Sequence, residues 1–198
     1  MSDTTSTNTV FSTNGPLLIS NGRLCSARIV NSPNFNERPE GVDDIDLLVI
    51  HNVSLPPEQF GGKYIEHFFC NQLDENAHPY FKTIADLQVS AHLLITREGE
   101  VIQFVPFGAR AWHAGRSCFG ARKECNDYSL GIELEGADTI AYTDTQYRVL
   151  ANVTKALMHY YPGITKERIV GHNDIAPERK TDPGEAFSWQ HFFKLLES

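Results

Sequence analysis

Leu47-Leu48-Val49-Ile50-His51-Asn52 is the stretch on which the fold turns. Four aliphatic residues in a row are too few for a helix and read as a buried, central strand. The run ends abruptly in histidine, so the strand delivers an imidazole to the rim of a sheet. Downstream, Arg168-Ile169-Val170 repeats the pattern on a smaller scale, a short strand feeding Gly171-His172. Two strands that each end in histidine can bring the two rings to one edge.

Working outward, Tyr64, Ile65, Phe68 and Phe69 stand at helical spacing, which predicts a helix ending near Phe69. Ala91–Thr96 and Val101–Val105 read as a hairpin joined at Arg97-Glu98-Gly99-Glu100. Tyr128–Glu135 alternates, with Tyr128, Leu130, Ile132 and Leu134 on one side and Ser129, Gly131, Glu133 and Glu135 on the other. Thr143 with Gln146 makes a capping box for a helix running to about Tyr161, where Pro162-Gly163 stops it. A last helix is expected from about Phe187 to Leu196, with Trp189, Phe192, Phe193 and Leu196 on one face. Strands interleaved with helices define an α/β (α+β) chain with a central mixed β-sheet flanked by helices.

The 198 residues suffice for one well-packed domain, expected over residues 17–198. Residues 1–16 are rich in Ser, Thr and Asn and are expected to form a disordered polar tail. The net charge of −8 argues against a nucleic-acid partner, since such proteins carry a basic surplus. No basic-then-apolar leader opens the chain and no window has the length of a spanning helix. No membrane partner is therefore expected, and the expected compartment is the cytoplasm. The four cysteines are scattered without a CxxC pair and are expected to be reduced; Cys118 and Cys125 fit no common zinc spacing.

The chemistry concentrates in Gly171-His172-Asn173-Asp174-Ile175-Ala176-Pro177-Glu178-Arg179-Lys180-Thr181-Asp182-Pro183-Gly184. His51, His172 and Asp182 together make a three-ligand set for a zinc ion with one position left open, the catalytic arrangement. Either histidine alone reads better as a buried structural residue; the three beside Lys180 read as a metal site. Lys180 supplies a charge that can stabilise an oxyanion. Glu133 or Glu135 supplies a carboxylate for proton transfer, and the alternation pattern does not choose between them. Arg110-Ala111-Trp112-His113-Ala114-Gly115 suits a sugar or peptide groove, although Trp112 fits a packed loop equally well. His92, inside an apolar strand, reads as structural.

Taken together, Leu48–Asn52, Ser90-Ala91-His92, Ala111–Gly115, Asn126–Glu133 and Gly171–Gly184 resemble the zinc-dependent type-2 N-acetylmuramoyl-L-alanine amidases. Order and spacing are most similar to the branch acting on 1,6-anhydro-muropeptides in the cytosol. The resemblance spans roughly Leu24 to Phe193. It implies a sheet flanked by helices, as in peptidoglycan recognition proteins, and one Zn2+ on His51, His172 and Asp182. It implies Glu133 as the catalytic carboxylate and Lys180 as the oxyanion-stabilising lysine. Asn52, Arg110, Trp112, His113, Gly115 and Arg179 are then expected in the substrate groove. The implied reaction is hydrolysis of the lactyl–L-alanine amide in recycling of wall fragments, by a monomer whose partner is the small muropeptide itself. Two alternatives share the fold: a non-catalytic muropeptide-binding module, and a periplasmic or phage-type amidase acting on polymeric peptidoglycan.

Overall fold

The computed structural model describes residues 17–198; the tail expected over residues 1–16 lies outside them. Six strands form the central sheet: β1 (Arg28–Ile29), β2 (Leu47–Val53), β3 (Leu93–Ile95), β4 (Val101–Gln103), β5 (Ser129–Glu135) and β6 (Ile169–Gly171). Their order is β6-β2-β5-β3-β4-β1. β2 runs parallel to β5 and β6, and β5 runs parallel to β3. The β3–β4 hairpin supplies the antiparallel pair and makes the sheet mixed. Among the described residues no helix is long and apolar enough to cross a membrane.

Helix α1 spans Tyr64–Phe69, α2 Asp144–Tyr160, α3 His172–Ile175 and α4 Trp189–Glu197. The capping box that starts α2 is formed: the Thr143 hydroxyl accepts the Gln146 N–H and the Gln146 side chain accepts the Thr143 N–H. Such a cap is worth about 1 kcal/mol. Leu150, Val153 and Leu157 of α2 and Phe192 of α4 join Leu48, Ile50, Leu130, Ile132 and Leu134 in the main core.

The opposite face is divided. On one half, Ile65, Phe68 and Phe69 of α1 cover Leu94 and Ile102. On the other, Ile175 of α3 and Ala114 cover Leu47 and Val49. His51 and Glu133 belong to this second face, because β2 and β5 pair in register with Leu47 opposite Ser129 and His51 opposite Glu133. Neighbouring strands lie ~4.8 Å apart, so these two side chains stand side by side at the carboxyl ends of parallel strands. Open α/β sheets bind ligands at that end.

Two expectations about elements need correction. Tyr128 does not share the Leu130 face; it packs with Leu47 and Val49. It closes the short 3-10 turn Cys125–Asp127 with φ −129° and ψ 8°, so it precedes the extended backbone in which alternation holds. The hairpin strands are shorter than expected, although backbone bonds from His92 to Gly131 and from Phe104 to His92 continue the pairing. Edge strand β1 was not foreseen, since two residues carry no periodicity.

Candidate metal centre and active-site cleft

Three segments deliver the site. β2 places His51 at 1% exposure. After β6, the Asp174 carboxylate accepts the Gly171 N–H at 2.7 Å and caps the turn in which His172 is the first residue of α3. Asp182 sits on a loop fastened at several points. The Asn173 N–H donates to the Asp182 carbonyl at 3.0 Å, and Pro183 O accepts from Asn52 Nδ2 at 3.1 Å and from the Tyr142 hydroxyl at 2.8 Å. Gly184 allows this path: its φ is +80°, and a Cβ there would stand 2.1 Å from Asp138 Cα.

The three side chains converge. His51 Nδ1 lies 2.9 Å from His172 Nδ1, and Asp182 Oδ2 lies 3.0 Å from the first and 3.1 Å from the second. A tetrahedral ion with bonds of ~2.0–2.1 Å has ligand edges of about 3.3 Å, so the donors fit one ion with a shift of about 0.3 Å. The donor set of two imidazoles and a carboxylate suits a borderline divalent cation. The cluster can hold a metal ion. Burial alone would raise the Asp182 carboxyl, but its contacts with His172 and His51 hold it well below the usual carboxylate range. The site therefore keeps a negative charge ready for a cation.

Glu133 stands beside this cluster and its Oε2 is buried with no hydrogen-bond partner among the described residues. Burial pushes its carboxyl well above the ordinary range, the negative charge of Asp182 adds to that, and Lys180 opposes it. Glu135 has a different job. Its two oxygens accept backbone N–H bonds from Gly61 and Arg97, at 2.5 and 3.0 Å, and it is 3% exposed. It ties two loops together, which separates it from Glu133 where the alternation pattern did not.

A cleft of about 460 Å³ reaches the cluster at Asp182 and is lined there by Asn52, Arg179, Lys180 and Thr181. Pro57 and Glu58 from the β2–α1 loop and Asp138 and Thr139 after β5 form its other walls. These four residues were missed by sequence reasoning, because they lie in irregular loops with no motif of their own.

Of the expected groove residues, Asn52 and Arg179 line the cleft. Arg179 also donates to the Ala114 and Arg116 carbonyls, at 2.7 and 3.0 Å, and its guanidinium lies over Gly115. Arg110 pairs with Asp127 and bonds Asn36, and Trp112 Nε1 donates to the same Asn36 Oδ1 at 2.7 Å; neither lines the cleft. His113 departs furthest from a groove position, since it is buried beneath His51 with Nδ1 2.9 Å from His51 Nε2. The His113 ring fills the space beside Gly131, where a Cβ would meet it at 2.5 Å.

Buried imidazoles set an acid limit on the metal-free protein. Burial lowers His51 to about 4 and His92 to about 3, and it carries His113 well below the ordinary range with a further push from His51. In the unfolded chain each titrates near ~6.5, so the native state binds fewer protons than the unfolded one below that pH. Depressed folded values mean stability present above ~6.5 and lost as pH falls. Glu133, with a raised value, acts in the opposite sense. Three lowered imidazoles outnumber one raised carboxyl, so unfolding takes up protons on balance and acid destabilises the native state. Urea midpoints of chelator-treated protein are expected to fall from pH 7 to pH 5, most steeply below the unfolded histidine value of ~6.5, and a flat profile would contradict the burial of neutral histidines.

Residues 41–185 match the N-acetylmuramoyl-L-alanine amidase family (Amidase_2), and the chain belongs to it. It is an amidase, related most visibly to one branch of that family. The 1,6-anhydro-N-acetylmuramyl-L-alanine amidase AmpD of Escherichia coli (strain K12) is 55% identical over 91% of this chain and 97% of its own length. The AmpD of Citrobacter freundii is 54% identical over 91% of this chain and 95% of its own. A crystal structure of a selenomethionine AmpD derivative superposes with a TM-score of 0.87 at 55% identity, covering 91% of this chain and 99% of that one.

Proposed function

We propose that the protein is a zinc-dependent amidase that hydrolyses the lactyl–L-alanine amide of 1,6-anhydro-N-acetylmuramyl peptides, in recycling of peptidoglycan fragments. The convergence of His51, His172 and Asp182 on one point, beside Glu133 whose buried Oε2 has no partner among the described residues, carries the reading. The substrate comes from the relatives. Those more than half identical are named for the 1,6-anhydro amide. The AmiD amidase of Escherichia coli, 30% identical over 77% of this chain, is seen with anhydro-N-acetylmuramic acid-L-Ala-D-gamma-Glu-L-Lys.

His51, His172 and Asp182 hold the zinc ion in this reading. When bound, zinc polarises an amide carbonyl and acidifies water enough for attack near neutral pH. Glu133 accepts the proton of the attacking water. Positive charge held by the ligands offsets the burial that raises this carboxyl, so it takes up the proton and then releases it to the alanine nitrogen. The water oxygen ends on the lactyl carbon, the carbon–nitrogen bond breaks, and the nitrogen leaves as a neutral amine. Lys180, on the cleft wall, balances negative charge on the carbonyl oxygen. Arg179 and Asn52 meet the polar parts of the muropeptide. The same reading has the enzyme act as a single copy in the cytoplasm, on soluble fragments.

The test compares defined anhydro-muropeptide with intact sacculi, each with and without a chelator. Release of free peptide is expected from the soluble substrate at least ~10-fold faster than solubilisation of sacculi, and chelation is expected to abolish both. Preferential attack on sacculi overturns the substrate assignment. Zinc binding without any peptide release favours a binding module.

A further inference from the structure

A chain of hydrogen bonds running away from the metal ligands fixes which nitrogen each imidazole presents. Ser129 Oγ lies 2.5 Å from the Cys125 carbonyl, which only accepts, so the serine hydrogen is committed there. His113 Nε2, 3.2 Å from the same Oγ, must donate its N–H to it. His113 Nδ1 is then bare and accepts the N–H of His51 Nε2 at 2.9 Å. That leaves His51 Nδ1 bare and facing His172 Nδ1 and Asp182 Oδ2. On the other side, His172 Nε2 donates to the Ala114 carbonyl at 3.0 Å, so its Nδ1 is bare as well. Both supporting acceptors come from adjacent residues, His113 and Ala114. Asn126 Oδ1 accepts both of their backbone N–H groups, at 3.1 and 2.8 Å. Gly131 makes room for the His113 ring.

We infer that His113 is a positioning residue of the metal centre: held by Ser129, it locks His51 into the Nε2–H tautomer that presents Nδ1 as a ligand. It does not touch the substrate. The inference rests on the metal-centre reading above. Groups that orient a ligating histidine through its second nitrogen typically contribute 10–100-fold to metal affinity. A purely steric role for His113 predicts something else, because any side chain of similar size would then serve.

The experiment measures zinc affinity by chelator competition in the wild type, His113→Leu and His113→Asn. Asparagine places an amide oxygen near the former Nδ1 and keeps the acceptor; leucine has similar bulk and none. His113→Leu is expected to weaken zinc binding about 10–100-fold, and His113→Asn to restore it to within several-fold of the wild type. Histidine-nitrogen NMR of the zinc-loaded wild type is expected to show His113 and His51 both protonated at Nε2. Wild-type affinity in the leucine variant, or a proton on His113 Nδ1, overturns the inference. If both variants fail to fold, the wild-type tautomers alone decide. A wild type that binds no zinc refutes the metal centre itself, a separate outcome.

Discussion

Asp182→Ala is expected to lose zinc and hydrolysis together. The carboxylate supplies the only anionic ligand atom of the cluster, within 3.0 and 3.1 Å of the two imidazole nitrogens. Without it, two neutral nitrogens 2.9 Å apart remain, with no charge to offset the desolvation of a dication. Groups that only orient a ligand cost 10–100-fold when removed, so loss of the ligand itself is expected to exceed ~10²-fold in affinity. Metal analysis after dialysis and an activity assay on anhydro-muropeptide are expected to fall in parallel. Asp182→Cys supplies a thiolate, itself a good zinc ligand, and is expected to recover much of the bound metal. An Asp182→Ala protein that retains one equivalent of zinc would remove this residue from the site.

The three residues of the cluster were legible because each announces itself locally. His51 ends an apolar run, His172 follows a second one, and Asp182 lies in a polar loop ten residues beyond His172. β5 and α2 were legible for the same reason, since their hydrophobic periods are long enough to read. What the pattern could not show depends on pairing across the fold. The role of Glu135 is set by N–H groups of Gly61 and Arg97, remote along the chain and brought together only by packing. His113 sits in a segment rich in small residues and aromatics that suits a groove. It is buried instead, because Gly131 on β5 leaves a hollow that the ring fills. Register, not composition, placed Glu133 beside His51 and turned an ambiguous pair of carboxylates into two distinct positions.

Glu133→Gln separates metal binding from proton transfer. Glutamine keeps the shape and the burial of the side chain but does not take a proton near neutral pH. The nearest ligand contacts, among His51, His172 and Asp182, do not involve Glu133, so zinc content and affinity are expected to stay within a few-fold of the wild type. Turnover is expected to fall by at least ~10²-fold, the scale of a lost general base. If Glu133 acts only on the chemical step, kcat falls while KM stays within a few-fold, because uniform binding is untouched. Removing a buried carboxyl whose proton affinity is raised also relieves the native state of a desolvated acid, so the apo variant is expected to melt no lower than the wild type. Glu135→Gln is the matched control. It weakens the two backbone bonds that tie the Gly61 and Arg97 loops, and it is expected to lower stability while leaving most of kcat. An active Glu133→Gln enzyme beside an inactive, well-folded Glu135→Gln enzyme would exchange the two assignments.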